Sequence, residues 1–152
     1  MEIFYKQDAI NKLSEILKKN YYCKNVLVMI SKGVKDKILP SIVNELNMAE
    51  NPFKVNDERG EFDLVVAVGG GNICNNAKIY CKERGLDLIV VPTAPTSTIF
   101  FSDECYKLNL NTIEVVKGVS PKYAIVDEKI IQAAPLYPVS YTHLTLPTTS
   151  RV

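Results

Sequence analysis

Short apolar runs alternate along this chain with segments in which apolar residues recur every three or four positions. The runs lie at 26–30, 64–68 and 88–91, and each contains several β-branched residues. Such runs predict buried strands, and the three-to-four spacing between them predicts amphipathic helices. Strands that alternate with helices favour an α/β fold, with a doubly wound, mostly parallel, Rossmann-like sheet.

The first 20 residues predict one strand and one helix. Residues 2–5 form the strand, and Asp8 stands where the N-cap of the helix is expected. Lys18 and Lys19 place positive charge at the other helix end, where the helix dipole is negative. The predicted apolar face consists of Ile10, Leu13, Ile16 and Leu17.

A turn at 31–33 and a second amphipathic helix are predicted after the strand at 26–30. Pro40 fits this helix only in its first turn, because proline lacks the N–H that an interior position donates. The segment that follows has little pattern beyond 53–55. Seven residues separate Val55 from Asp63, whereas a parallel crossover takes about ten to twelve or more. We therefore expect this part of the fold to be shortened or absent.

The strand at 64–68 leads directly into three glycines, Gly69, Gly70 and Gly71, and then into a segment with helical spacing. Three residues without Cβ atoms allow a ligand to lie against bare backbone. The N–H groups of the following helix point toward such a ligand with the positive end of the helix dipole. This arrangement predicts a phosphate site at the glycine turn. The helix that follows is expected to end at Gly85.

The last part of the chain changes character. Segments around 109–116 and 122–126 alternate in polarity and predict antiparallel strands, so the fold class includes an antiparallel hairpin near the C-terminal end. Residues 128–134 predict a short last helix before Pro135.

Composition narrows the classes of function. The chain has 152 residues and a net charge of +1, so neither a basic nucleic-acid surface nor an acidic tail is indicated. No apolar run approaches the ~20 residues of a membrane helix.

The four cysteines form no Cys-x-x-Cys pair and follow no secretory signal, which favours reduced thiols in the cytoplasm. Cys74 and Cys81 share a helix face, where burial is favoured over metal binding.

Three motifs resemble those of the iron-containing alcohol dehydrogenase, glycerol dehydrogenase and dehydroquinate synthase superfamily. Residues 69–78 resemble its Gly-Gly-Gly-Ser-x-x-Asp-x-Ala-Lys motif, and 90–97 resemble its second signature. A third match joins 121–127 to Ala134 and Pro135. The resemblance covers about residues 1–138 and is closest to glycerol dehydrogenase-like members.

This resemblance implies that the chain binds NAD or NADP. Relatives often hold the adenosine ribose with an acidic residue near the end of the second strand. Here Ser31 lacks a carboxylate and Lys32 could accommodate a phosphate on the ribose, although a solvated turn explains both residues as well. Ser102 falls near the nicotinamide end in relatives. The implied cofactor-binding residues are Gly69, Gly70, Gly71, Asn72, Thr93, Thr96 and Ser102.

Several residues depart from the superfamily pattern or carry a second interpretation. Asn72 replaces the usual serine and Asn75 the usual aspartate, while Thr98 stands where dehydrogenase relatives carry an aspartate that touches the substrate. Lys78 matches the motif, but a helical lysine is more often a solvated charge. The threonines at 93 and 96 are also explained by local turn capping.

Relatives hold zinc or iron through an aspartate and two histidines of a following helical domain. The only histidine of this chain is His143, and residues 139–152 resemble a translated sequencing adapter. The sequence analysis therefore predicts a nucleotide-binding domain at 1–138, an artefact at 139–152 and a longer natural protein. We expect no metal site and no catalysis from this chain alone, and zinc or iron only in the full-length parent.

The leading hypothesis is that the chain is the NAD(P)-binding half of a metal-dependent alcohol or polyol dehydrogenase of the glycerol type. Its expected partners are the dinucleotide and a small alcohol or polyol, with no nucleic acid and no membrane. The full-length protein is expected to be a homo-oligomer. Two alternatives stay open, a fragment of a dehydroquinate synthase-like lyase and a degenerate, non-catalytic nucleotide-binding module.

Overall fold

The computed structural model of the chain describes residues 1–94 and 101–133, and a six-stranded sheet forms its centre. The strands and helices have the following bounds. The strands are β1 Glu2–Lys6, β2 Val26–Ile30, β3 Phe53–Val55, β4 Leu64–Gly69, β5 Asp87–Pro92, β6 Glu104–Asn109, β7 Thr112–Lys117 and β8 Tyr123–Asp127. The helices are α1 Lys12–Asn20, α2 Lys32–Met48, α3 Gly71–Arg84 and α4 Glu128–Ala133, with a 3₁₀ turn at Ala9–Asn11.

The central sheet has the order β1-β8-β5-β4-β2-β3, and all its strands are parallel. Its two faces are covered by different helices. One core joins α1, α2 and α4 to alternate strand residues such as Val28 and Val66. The other joins α3 to the intervening residues, including Leu27 and Val65. The sheet is therefore doubly wound, as predicted.

The helices that follow the neighbouring strands β2 and β4 lie on opposite faces of the sheet. From β2 the chain passes outward to β3, and from β4 it passes the other way to β5. The strand order thus reverses between β2 and β4. In open α/β sheets, ligands bind in the crevice outside the carboxyl ends of the strands at such a reversal.

The N-terminal end of the first helical segment is capped differently from the prediction. Asp8 has a left-handed backbone with φ 60° and makes no side-chain capping bond. Instead the buried carboxylate of Asp127 accepts hydrogen bonds from the N–H groups of Asp8, Ile10 and Lys129, at 3.2, 3.0 and 2.9 Å. The capping group comes from the end of β8, far away in sequence, so local spacing could not reveal it.

Two expectations for α2 are wrong. Residues 31–33 are not a turn, because Ser31 is the N-cap and Lys32 already begins the helix. Pro40 lies in the helix interior rather than in its first turn. It is exposed, so the carbonyl oxygen that loses an N–H partner there can bond to water, which lowers the cost of an interior proline.

Residues 53–55 form a strand that is parallel to β2 on the side opposite β4. The segment 56–63 therefore makes a parallel crossover, although we expected it to be too short. Phe53 and Leu64 both align with Val26, so β3 and β4 start at the same level of the sheet. To reach the start of β4, the chain has to return from the end of β3 by only the length of this three-residue strand. Eight residues can span about 26–29 Å, which is sufficient without a helix.

The C-terminal strands pair differently from the prediction. An antiparallel hairpin is present, but it joins β6 to β7. The segment predicted as a strand at 109–116 begins at the last residue of β6 and crosses the turn into β7. The segment at 122–126, predicted as antiparallel, belongs to β8, which is a parallel strand between β1 and β5. Polarity along a strand does not specify its neighbours, and this caused the error. The last helix is confirmed as far as Ala133, while Ala134 and the segment 139–152 lie outside the described residues.

Candidate functional site

The junction between β4 and α3 lies at the carboxyl edge of the sheet, beside the point where the strand order reverses. Every residue of β4 is buried, including Gly69 at its end. Gly70 is the N-cap of α3, and Gly71 is its first helical residue. The predicted succession of strand, glycine turn and helix is confirmed, and Gly85 ends the helix with a left-handed φ of 66°.

Gly69 is required by close packing. Its φ of 153° is one that residues with side chains rarely adopt. A Cβ at this position would lie 3.0 Å from the Ser31 Oγ and 3.3 Å from the Ile73 Cβ. Gly69 therefore allows the start of α2 and the first turn of α3 to approach the end of β4.

Gly70 has a different role, since its φ of −89° is open to any residue. A Cβ placed on Gly70 would meet no atom within 4 Å, so the absence of a side chain leaves open space above the backbone. The first helical hydrogen bond is donated by the Cys74 N–H to the Gly70 carbonyl, at 3.2 Å. The N–H groups of Gly71, Asn72 and Ile73 precede it and have no partner within the helix.

These features together fit a bound phosphate. N–H groups at a helix start carry the positive end of the helix dipole and bind anions readily. The open space at Gly70 lets an anion approach them, and the side chain of Asn72 is exposed in the same first turn. Of the residues that we predicted to hold a pyrophosphate, Gly70, Gly71 and Asn72 lie on one accessible helix terminus, and Gly69 is buried directly before it.

Thr93 lies beside this terminus, as predicted. Its N–H donates a hydrogen bond of 3.0 Å to the Gly69 carbonyl, and the residue is buried. This bond continues the β4–β5 ladder by one residue beyond the Gly69–Pro92 pair. Thr93 therefore flanks the glycine turn on the β5 side of the crevice.

On the β2 side, the Ser31 N–H donates a bond of 3.1 Å to the Val68 carbonyl. Asn56 holds the end of β2, because its side-chain amide bonds both the N–H and the carbonyl of Ile30, at 2.9 and 3.0 Å. The sequence analysis did not identify Asn56. The available sequence signal is an asparagine directly after a strand, a residue type that tolerates the left-handed conformation found here, with φ 52°.

The remaining predicted residues are less closely connected to the glycine turn. Ser102 is partly exposed, and its Oγ accepts a bond of 3.3 Å from the Glu104 N–H. This bond gives Ser102 a local role in starting β6. Thr96 and Thr98 lie outside the described residues.

Lys78 is not the solvated charge that a helical lysine usually is. It is completely buried between α3 and the hairpin, and its Nζ donates to the Glu104 carbonyl at 3.2 Å. Burial lowers the pKa of its ammonium group, while the nearby thiols of Cys74 and Cys105 act in the opposite direction. Sequence reasoning missed this role because the covering hairpin is 26 residues away.

The described residues include no group of three or more His, Cys, Asp or Glu side chains that could hold a metal ion. Cys74 and Cys81 are reduced and buried on α3, as predicted. Burial raises the pKa of the Cys74 thiol to about 11 and that of Cys81 to about 12. No helix within residues 1–94 and 101–133 is long and apolar enough to cross a membrane.

Comparison with known proteins identifies a family. A family profile of iron-containing alcohol dehydrogenases matches residues 4–135. The chain is 34% identical over 82 residues to the glycerol-1-phosphate dehydrogenase of Thermococcus kodakarensis, whose name specifies NAD(P)+. This alignment covers 54% of the chain and 23% of the relative.

Solved structures share the fold at low sequence identity. The NADH-dependent butanol dehydrogenase A of Thermotoga maritima matches with a TM-score of 0.79 and 16% identity, over 89% of this chain and 44% of that one. The glycerol dehydrogenase of Schizosaccharomyces pombe matches with a TM-score of 0.71 and 18% identity, over 88% of this chain and 39% of that one. The chain thus spans less than half the length of these relatives.

Proposed function

This chain belongs to the iron-containing alcohol dehydrogenase family, and on that premise we propose that residues 1–138 are the NAD(P)-binding domain of an alcohol or polyol dehydrogenase. The observation that carries the proposal is the bare helix terminus at Gly70, which lies at the reversal of strand order. A pyrophosphate there accepts hydrogen bonds from the first N–H groups of α3. The proposed cofactor-binding residues are Gly69, Gly70, Gly71, Asn72, Thr93, Thr96 and Ser102.

The protein residues have separate tasks in this proposal. The α3 terminus binds the negative charge, and Gly69 keeps the start of α2 close enough to form one wall of the crevice. Thr93 forms the opposite wall. Lys32, exposed at the start of α2, offers a positive charge to the adenosine half and allows a phosphate on the ribose. The bound nicotinamide supplies the hydride chemistry.

Small alcohols and polyols are the proposed substrate class. The names of the relatives specify glycerol 1-phosphate, glycerol and butanol. The described residues do not form a metal site, so the zinc or iron of the proposed dehydrogenase would be held by residues outside this set. We propose that the chain alone binds the dinucleotide without turning over substrate, and that the whole protein is a cytoplasmic homo-oligomer.

Calorimetric titration of the 152-residue chain with NAD and with NADP tests the proposal. The informative variant is Gly70→Val, because a Cβ at this position meets no atom within 4 Å and the branched side chain would occupy the open space. We expect the wild type to bind at least one dinucleotide and Gly70→Val to lose at least about tenfold in affinity, which is ~1.4 kcal/mol. Circular dichroism should show that both proteins are folded.

Gly33→Val is the matched control, because Gly33 lies in the first turn of α2, where a Cβ would also meet no atom within 4 Å. It should bind like the wild type. A folded wild-type chain that binds neither dinucleotide would contradict the proposal and favour a degenerate module. Equal loss in both variants would show that the cradle at Gly70 is not the site.

A further inference from the structure

The helix that carries the glycine turn also holds the hairpin in place. Asn75 and Lys78 lie one turn apart on α3, so their side chains project from neighbouring positions of one face. Both reach the main chain of β6, where they contact Tyr106 and Glu104 respectively. Residues two apart in a strand direct their main-chain groups to the same edge. The edge of β6 that faces away from β7 therefore docks on α3.

Asn75 satisfies this edge as a neighbouring strand would. Its Nδ2 donates to the Tyr106 carbonyl at 2.7 Å, and its Oδ1 accepts from the Tyr106 N–H at 2.5 Å. An amide provides one donor and one acceptor, whereas a carboxylate provides acceptors only. The asparagine that departs from the superfamily motif is thus matched to a contact that the usual aspartate could not make in full.

The base of the hairpin packs closely against α3. A Cβ on Gly118 would overlap the Cys105 sulfur and lie 2.9 Å from the Lys78 Cβ. The Val119 N–H also donates to the Lys78 carbonyl, at 3.4 Å. Close packing and directed hydrogen bonds therefore fix β6 in one position relative to the helix.

This connection extends to a proposed cofactor-binding residue. Lys78 holds the Glu104 carbonyl, and the Glu104 N–H in turn donates to the Ser102 Oγ. The cradle at Gly70 lies at the N-terminal start of the same helix, about two turns before Lys78. Lys78 thus connects the helix that begins at the cradle to the start of β6, which Ser102 caps, and Asn75 holds the next residues of that strand.

We infer that Asn75 and Lys78 are positioning residues of the dinucleotide site, which hold Ser102 at a fixed distance from the pyrophosphate cradle. The inference rests on the proposed function. ADP occupies only the adenosine and pyrophosphate part of a dinucleotide, whereas the nicotinamide riboside extends beyond the cradle. Loss of the two side-chain contacts should weaken binding of the whole dinucleotide and leave binding of ADP unchanged.

The test is to titrate ADP, and whichever of NAD and NADP binds more tightly, into the 152-residue chain and its variants. Asn75→Asp keeps the side-chain shape but loses the donor to Tyr106. Lys78→Met keeps most of the buried volume but loses the donor to Glu104. In both variants we expect the ratio of dinucleotide affinity to ADP affinity to fall about tenfold, as expected for a directed hydrogen bond.

Asn76→Asp is the matched control, because it makes the same change at an exposed neighbouring position of α3. Its affinity ratio should equal that of the wild type. If Asn75→Asp and Lys78→Met lower both affinities equally, or lower neither, the positioning role is wrong while dinucleotide binding by the chain stands. If the wild type binds ADP and the dinucleotide equally, nothing beyond the cradle contributes and the inference is also overturned. Failure of the wild type to bind any of the ligands overturns the proposed function itself.

Discussion

Two strand–helix units meet at the reversal of strand order, and they differ in what lies at the helix start. β2 with α2 and β4 with α3 each join a buried parallel strand to a long helix through a single capping residue. The cap of α2 is Ser31, whose side chain lies against Gly69 and makes no capping bond. The cap of α3 is Gly70, with open space above it.

This difference shows that topology alone does not make a helix start accessible to a ligand. Both helices direct their positive ends to the same edge of the sheet. At α2 the serine side chain packs between the two units, and the exposed Lys32 follows. At α3 the backbone itself is accessible. The first unit therefore forms a wall of the crevice, whereas the second provides the surface that a ligand can contact.

Gly69→Ala should have the largest effect, because it weakens the contact between the two units. Both the backbone conformation and the proximity of Ser31 and Ile73 oppose a Cβ there. We expect a loss of about 3 kcal/mol in the free energy of unfolding, measured by urea denaturation. Gly33→Ala should be neutral or stabilising by up to about 1 kcal/mol.

The double variant Ser31→Gly/Gly69→Ala separates the two causes of this loss. It should recover about 1 kcal/mol, because it removes the contact with Ser31 and leaves the contact with Ile73 and the backbone strain. A Gly69→Ala protein as stable as the wild type would mean that the two units do not depend on close approach at this point.

The second prediction concerns the thiol that α3 buries directly behind its first turn. Burial raises the pKa of Cys74 from an ordinary value of 9.0 to about 11, partly offset by Lys78. The protonated thiol stabilises the fold fully when the pH is below the pKa of Cys74 in the unfolded protein. This stabilisation is lost as the pH rises through the higher pKa of Cys74 in the folded protein. Between pH 8 and pH 10.5, ionisation of this thiol should lower the free energy of unfolding by about 2 kcal/mol.

The measurement is the urea midpoint at the two pH values, for the wild type and for Cys74→Ala. Since lysines and tyrosines also titrate in this range, the difference between the two proteins isolates the thiol. Cys74→Ala should show the smaller decrease in stability with pH. A decrease that is equal in both proteins would contradict burial of this thiol as the cause.

The smallest predicted effect concerns the charge of Lys32 at the start of α2. Lys32→Glu reverses a charge at the edge of the crevice and leaves α3 unchanged. We expect NADP affinity to fall about threefold to tenfold at low salt, and NAD affinity to fall less, because a ribose phosphate interacts directly with this charge.

Lys35→Glu makes the same change one turn further along α2 and should have less effect. Titration of both variants with each dinucleotide at two salt concentrations measures this difference. Equal effects on NAD and NADP would indicate that Lys32 is only a solvated charge, the second interpretation that the sequence allows.

Local signals in the sequence were sufficient to predict most of the helices and strands and the candidate anion site. The β-branched run before Gly69, Gly70 and Gly71 and the helical spacing after them specify a strand, a turn and a helix, because each signal lies within a few residues of the structure it predicts. The same holds for β2, β5 and the C-terminal end of α3 at Gly85. The family motifs in this chain are local for the same reason.

Which of these elements meet became known only from the assembled fold. The pairing of β8 between β1 and β5, the capping of the first helical segment by Asp127, and the distinct roles of Gly69 and Gly70 all depend on groups remote in sequence. Burial of Lys78 depends in the same way on a hairpin that follows later in the chain. Periodicity shows which face of an element is buried but not against which partner. The contacts in the folded chain are therefore needed to distinguish a buried lysine that bonds to a strand, such as Lys78, from a solvated one.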